Sequence, residues 1–228
     1  MWQNVTAETL MDKDFWIERW QQQQIGFHQA EINQYLQKYW RQVQQQFPDS
    51  QVFVPLCGKS KDMLWLREQG HQVLGIEFSQ MAVENFFTEN SLPFESVELE
   101  SFSSYKSTDL NLLCGDFFQL DQTMLQHCHL VYDRASIVAL PENMRSHYVD
   151  HLSHILPAKA SILMVTMEYP QVQMQGPPFS VSEQEIRALF ADKFDLTLLT
   201  EFDIFQENPK FRERGLTSLV EKVYLLQR

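Results

Sequence analysis

Apolar and polar positions along this chain change period near residue 50. Before that point apolar residues recur at helical spacing. Phe15, Trp16 and Trp20, with Arg19, fall on adjacent turns and predict a helix over 14–23. Ile32, Tyr35, Leu36, Tyr39, Val43 and Phe47 predict a second helix over 29–46, and Ile25-Gly26-Phe27-His28 breaks the two apart. From Val52 onward short apolar runs alternate with helical stretches. Strands are expected over 52–56, 72–77, 110–114, 129–133, 160–168, 194–205 and 218–226, and helices near 61–69, 81–90, 121–126, 142–155 and 183–190. Ser182 with Glu185 reads as a capping box, and Ser79 as an N-cap. The alternation predicts an α/β protein: a doubly wound, mostly parallel sheet of seven strands, covered on both faces. The last two strands, with no long helix between them, suggest a closing antiparallel hairpin. No linker divides the chain, so one domain over 1–228 is expected, with a helical cover over 1–46 on an α/β core over 51–228.

The stretch Val52-Phe-Val-Pro-Leu-Cys-Gly-Lys-Ser60, followed by Val73-Leu-Gly-Ile-Glu77, carries the candidate chemistry. A strand ends in a loop, a helix follows, and a second strand closes on an acid. In open α/β sheets, ligands bind at the carboxyl ends of the strands. Glu77 stands 19 residues beyond Gly58, close to the roughly 20-residue spacing of an acid that binds ribose hydroxyls. A dinucleotide loop wants G-x-G-x-x-G so that backbone can approach a pyrophosphate; here Gly58 stands alone. A nucleoside ligand without phosphate needs no further glycines, S-adenosylmethionine being one. An ordinary β-α-β unit with a glycine turn and a solvated acid is the alternative.

Composition narrows the classes. At 228 residues, 44% hydrophobic and 13% aromatic, the chain can bury a sizeable core. A formal charge of -12 argues against a nucleic-acid partner, which needs a basic stripe. No apolar run is long enough for a membrane span. The first 20 residues lack a basic segment followed by an apolar one, so no signal peptide is expected. Cys57, Cys114 and Cys128 are odd in number and form no C-x-x-C, as expected of reduced, buried thiols in the cytoplasm. His127-Cys128-His129 and the pair His147 and His151 could suggest a metal, but no completing ligands stand at standard spacing and none is expected. The Pro-rich stretch from Glu168 to Phe179 follows a strand and is a candidate substrate lid or a rigid connection.

Four stretches together resemble the thiopurine S-methyltransferases, particularly their bacterial members: Phe15-Trp-Ile-Glu-Arg-Trp-Gln with Ile25-Gly-Phe-His-Gln29; Val54-Pro-Leu-Cys-Gly-Lys-Ser60 with Gly75-Ile-Glu77; Tyr132-Asp-Arg-Ala-Ser-Ile-Val-Ala139; and Gly176-Pro-Pro-Phe179. Glu221-Lys-Val-Tyr-Leu-Leu226 is similar to the family's last strand. The likeness runs from about Asp14 to the end, with residues 1–13 preceding it.

The resemblance implies a class I methyltransferase fold, S-adenosylmethionine as cofactor with S-adenosylhomocysteine as product, and no metal. It implies methyl transfer to the sulfur of thiopurines and similar heterocyclic thiols by a monomeric enzyme. Trp20, Leu56, Gly58, Glu77 and Arg134 match cofactor positions; Gly115, Asp116 and Phe117 match the segment framing the adenine. Phe27 matches a residue at the junction of cofactor and acceptor, with Pro178 and Phe179 on the acceptor side. Asp116 could accept from the adenine amino group or cap a turn; Phe117 could stack on adenine or belong to the core. Trp20 and Phe27 would sit near the sulfonium, a contact worth roughly 0.5 to 2 kcal/mol. Arg134 would act in catalysis by favouring the thiolate anion, with a structural pair to Asp133 as the alternative. Arg212 and Arg214 could help hold an acceptor, and His28 is a candidate base or a hydrogen-bonding residue of the cover. Methylation of selenium or tellurium species is the rival physiological role. An NAD-dependent oxidoreductase and a non-catalytic cofactor-binding module are rivals of other classes.

Overall fold

The computed structural model describes residues 15–24 and 28–228. Helix α1 runs through residues 15–21. Helix α2, Gln34–Val43, continues as a 3-10 turn over Gln44–Gln46. Asn33 starts α2 by accepting from the Tyr35 and Leu36 N–H groups, two of the donors that a helix start leaves open. The chain then forms β1 (Val52–Val54), α3 (Asp62–Glu68), β2 (Val73–Glu77), α4 (Gln80–Glu89), β3 (Glu95–Glu98), β4 (Phe102–Ser107) and β5 (Leu110–Gly115). It continues with β6 (Leu130–Arg134), α5 (Glu142–Ile155), β7 (Ser161–Glu168), α6 (Glu183–Phe190), β8 (Asp195–Asp203), α7 (Pro209–Glu213) and β9 (Val220–Gln227).

Among the described residues these strands form one sheet in the order β3-β4-β5-β2-β1-β6-β7-β9-β8. The five central strands from β5 to β7 are parallel. At one end β9 inserts antiparallel between β7 and β8, the closing hairpin expected from the sequence. The sheet has nine strands, not seven, and half of its pairings are antiparallel. The seven expected strands are all present; the two additional ones are β3 and β4, which extend the β5 edge. Every residue of β3 is exposed, and β4 carries three serines. Neither strand has the apolar run that marks a buried one. The helix expected over 121–126 is a series of turns instead. Asp121 caps the Thr123 and Met124 N–H groups, but the segment is too short to propagate a helix against its nucleation cost.

Period-two alternation sorts the central strands onto two faces. Val52, Val54, Leu130, Tyr132, Leu163, Val165, Val223 and Leu225 pack with α2, α3 and α4. Phe53, Leu74, Ile76, Val131, Ile162, Met164, Tyr224 and Leu226 pack with α5 and α6. Helices thus cover both faces of the sheet. The carboxyl ends of β1, β2 and β6 are left at one rim, where α1 and the start of α2 lie. Among the described residues no helix is long and apolar enough to cross a membrane.

Candidate active site

The loop after β1 is built for close approach. Leu56 and Gly58 both hold positive φ, +44° and +51°. For a leucine that conformation costs on the order of 1–3 kcal/mol and persists only where the surroundings impose it. They do so here: the Cys57 N–H donates to the Ile76 carbonyl at 2.9 Å, and the Ser136 hydroxyl donates to the Pro55 carbonyl at 2.8 Å. These two bonds fix the loop between β2 and the segment after β6.

Glu77 ends β2 and is 5% exposed. Its Oε2 accepts from the Gly58 N–H at 3.0 Å and its Oε1 from the Ser79 N–H at 2.8 Å. Burial pushes its pKa up to about 7, against the opposing pull of the Ser79, Gly58 and Phe78 backbone groups. The two N–H bonds orient the carboxylate and use one lone pair on each oxygen. Each oxygen keeps acceptor capacity for a further donor, the capacity that a vicinal diol requires. The residues therefore fit a ribose. Ser79 also caps α4 by accepting from the Ala82 N–H at 3.3 Å.

Trp20 reaches this loop from α1. It is 5% exposed, and a Cβ added to Gly58 would lie 3.3 Å from its ring atom Cζ2. The indole edge thus rests on the lone glycine. Lys59, also buried, pairs with Glu89 at 2.7 Å. Burial lowers the pKa of His28, with Lys59 adding to the effect and Arg134 contributing a smaller push in the same direction. Its imidazole is neutral near pH 7. Phe27 lies outside the described residues.

Arg134 ends β6, and Ala135 turns the chain away at φ +73°. Successive strand residues face opposite sides, and Asp133 turns into the core, where its Oδ2 accepts from the Tyr148 hydroxyl at 2.7 Å. That bond takes the place of the considered pair with Arg134. Asp62 braces the same rim: its two oxygens accept from the Asn33 N–H at 2.8 Å and the Tyr132 hydroxyl at 2.9 Å.

Gly115 sits at the end of β5, where a Cβ would meet Phe102 Cδ1 at 2.5 Å and the Ser101 carbonyl at 2.9 Å, so only glycine fits. Asp116 caps the turn that follows through the Phe118 N–H at 3.0 Å. Phe117 is a core residue: it is 3% exposed and packs against Phe53, Tyr148 and His151. That packing is the core arrangement which the sequence left open beside stacking on adenine. His147 stacks on Phe118 at 4.4 Å, and His151 lies 3.2 Å from the Phe117 carbonyl.

Pro178 and Phe179 approach from the other side. The Phe179 N–H donates to the Val138 carbonyl at 2.7 Å, and Tyr169 donates its hydroxyl to the Pro178 carbonyl at 2.6 Å. Val138 belongs to the turn Ile137–Ala139, just beyond Arg134. Buried Arg145, which the sequence did not single out, pairs with Glu185 at 2.7 and 2.8 Å and lies over the Phe179 ring at 5.9 Å. Side-chain bonds pin the loop at Tyr169, Gln171 and Ser180, while Val172 between them is exposed. Arg212 donates to the Gln206 carbonyl, and Arg214 lies over Phe211 at 5.9 Å. The rim thus gathers Trp20, Leu56, Gly58, Glu77 and Arg134, with Gly115 and Asp116 at the neighbouring β5 end and Pro178–Phe179 beyond β6. Asp62, Ser136 and Tyr132 brace it, and their polar side chains in apolar surroundings were the signal available in the sequence.

A family model described as thiopurine S-methyltransferase matches residues 11–228. A thiopurine S-methyltransferase of Nitrosospira multiformis is 50% identical over 216 residues, covering 95% of this chain and 98% of that protein. One of Pseudomonas putida is 47% identical over 218 residues, covering 96% of this chain and 100% of its own. Among solved structures, the Burkholderia thailandensis 1,6-didemethyltoxoflavin N1-methyltransferase, with S-adenosylhomocysteine bound, superposes with a TM-score of 0.61 at 10% identity. That match covers 100% of this chain and 93% of the other. A Haemonchus contortus phosphoethanolamine N-methyltransferase superposes at 0.58 with 8% identity, over 85% of this chain and 52% of its own. These likenesses show the class I methyltransferase fold.

Proposed function

This chain belongs to the thiopurine S-methyltransferase family and is an S-adenosylmethionine-dependent methyltransferase; from that premise we propose that its β1–β2–β6 rim methylates the sulfur of thiopurines and similar heterocyclic thiols. The single observation that carries the reading is Glu77, oriented at the carboxyl end of β2 by the Gly58 and Ser79 N–H groups. A buried carboxylate held this way suits a ribose diol, and the loop beside it carries one glycine where a pyrophosphate loop carries three. Family membership and that loop together count against an NAD-dependent oxidoreductase.

S-adenosylmethionine supplies a methyl group already activated on a sulfonium, so the chain's own task is to position and desolvate. Glu77, Gly58 and Leu56 bind the nucleoside end, with Gly115 and Asp116 beside them. Trp20 closes over the loop and excludes water from it. Arg134 faces the acceptor and favours its thiolate over the neutral thione, because a guanidinium stabilises an adjacent anion. Neutral His28 is held near Arg134 as a hydrogen-bonding group of the cover. Alignment of two bound partners supplies up to about 7–11 kcal/mol of a barrier, and a soft thiolate needs little further help. Pro178 and Phe179 form the apolar acceptor wall.

Selenium or tellurium species are the rival acceptors; an anionic one is less favoured, because among the described residues Glu89 neutralises Lys59 and Glu221 lies near Arg134. The same reading takes the chain as a cytoplasmic monomer with reduced thiols; Cys57, Cys114 and Cys128 are all free. Transfer of labelled methyl to 6-mercaptopurine tests the proposal. Wild type should turn over, and Arg134→Ala should lower kcat/KM by about tenfold or more, the scale of a lost charge-assisted bond. No transfer by wild type to any heterocyclic thiol refutes it.

A further inference from the structure

Tyr35 belongs to α2 and Glu221 to β9. The fold brings them together at the rim. Residues 29–35 and Glu221 line a cavity of about 400 Å³, within the range of small-ligand sites, roughly 300–1,000 Å³. Strand parity fixes which way its walls face. Glu221 continues the Val223–Leu225 series, and Arg134 continues the Leu130–Tyr132 series; both series lie on the α2 face. Glu221 therefore stands on the same side of the sheet as Arg134, two strands away across β7. Burial raises the Glu221 pKa, against the pull of the neighbouring Tyr35 hydroxyl and, more weakly, of the Arg134 guanidinium.

Tyr35 supplies an independent observation. It is 5% exposed, and its hydroxyl has no hydrogen bond of good geometry among the described residues. A buried hydroxyl without a partner is uncommon. It faces the Glu221 carboxyl within electrostatic reach. A donor and an acceptor thus stand close together on one cavity wall, without a hydrogen bond of good geometry joining them. A molecule that satisfies both must present an acceptor and a donor side by side, and the N and N–H atoms along one edge of a nitrogen heterocycle do so.

We infer that Tyr35 and Glu221 form the element that recognises the acceptor, reading an N/N–H edge of the heterocycle while Arg134 faces its sulfur. The inference rests on the proposed thiol-methylating function and extends it to specificity. Acceptors with a ring N–H are favoured, and simple aryl thiols, which leave the pair unsatisfied, are disfavoured.

The test is calorimetric titration of 6-mercaptopurine and of thiophenol into the enzyme saturated with S-adenosylhomocysteine. Wild type should bind 6-mercaptopurine more tightly. In Glu221→Ala the ratio of the two affinities should fall about tenfold, as expected for a hydrogen bond to a charged group. Tyr35→Phe should lower it less, and Glu221→Gln, which keeps a carbonyl acceptor, should fall between wild type and alanine. A merely structural tie between β9 and α2 would lower Tm in these variants and leave the ratio within twofold; that result overturns the inference while the proposed function stands. If wild type binds neither acceptor, both fall. Unaltered affinity for S-adenosylhomocysteine in the same samples verifies that the variants are folded.

Discussion

Glu77 concentrates the consequences at residue scale. Its side chain is buried and its oxygens are already anchored, so a ribose that leaves this site without an acceptor loses about 1–3 kcal/mol. Glu77→Ala is expected to weaken S-adenosylhomocysteine binding about tenfold or more by calorimetry; unchanged affinity removes it from the site. The pH dependence follows from the raised pKa. The ordinary value is 4.5 and the folded value about 7. Between these two the unfolded chain has released the proton that the folded chain still holds, so this group makes folding less favourable as pH rises through that window. Cofactor binding runs the other way, because the ionised form accepts two hydroxyls. Affinity for S-adenosylhomocysteine should therefore increase between pH 6 and 8, and Glu77→Gln should flatten that dependence. Cys57 and Cys114 lie beside this carboxylate, and burial raises both thiol pKa values, Cys114 to about 11. Neither is a nucleophile at neutral pH.

At the scale of elements, the seven strands that build the rim were legible because apolar runs of Val, Ile and Leu mark strands buried on both faces. The β3–β4 hairpin was not, because a solvated edge has no such signature; its place is set by pairing with β5, a long-range effect. Helix starts were legible where a capping residue stood: Ser79 and Ser182 both accept from the expected N–H groups. The capping box is only half formed, since Glu185 turns to Arg145. Ser79→Ala should cost about 1 kcal/mol, a fall of roughly 2–4 °C in Tm. It should leave cofactor affinity nearly intact, because the Ser79 backbone N–H that holds Glu77 remains. Gly115→Ala should lower Tm further than Ser79→Ala, since its methyl would collide with Phe102 and with the Ser101 backbone. Thermal unfolding of the two variants side by side checks that order.

Across the whole molecule, the rim is a place where distant segments meet, and this limits what a sequence can reveal. Glu77 and Gly58 were legible together because a single β-α-β unit sets their spacing. The bonds from Ser136 to Pro55 and from Tyr132 to Asp62 cross 81 and 70 residues, and no local pattern encodes them. Phe117 illustrates the opposite limit: an aromatic after a strand has the same appearance in a sequence whether it faces a ligand or, as here, the core. Tyr35 and Glu221 acquire meaning only when α2 is laid against β9. The most direct measurement is a crystal structure with S-adenosylhomocysteine. The ribose hydroxyls should lie within hydrogen-bond distance of the Glu77 oxygens, with Trp20 closed over the Gly58 loop. Ligand density away from this rim, or a ribose that makes no contact with Glu77, would contradict the assignment.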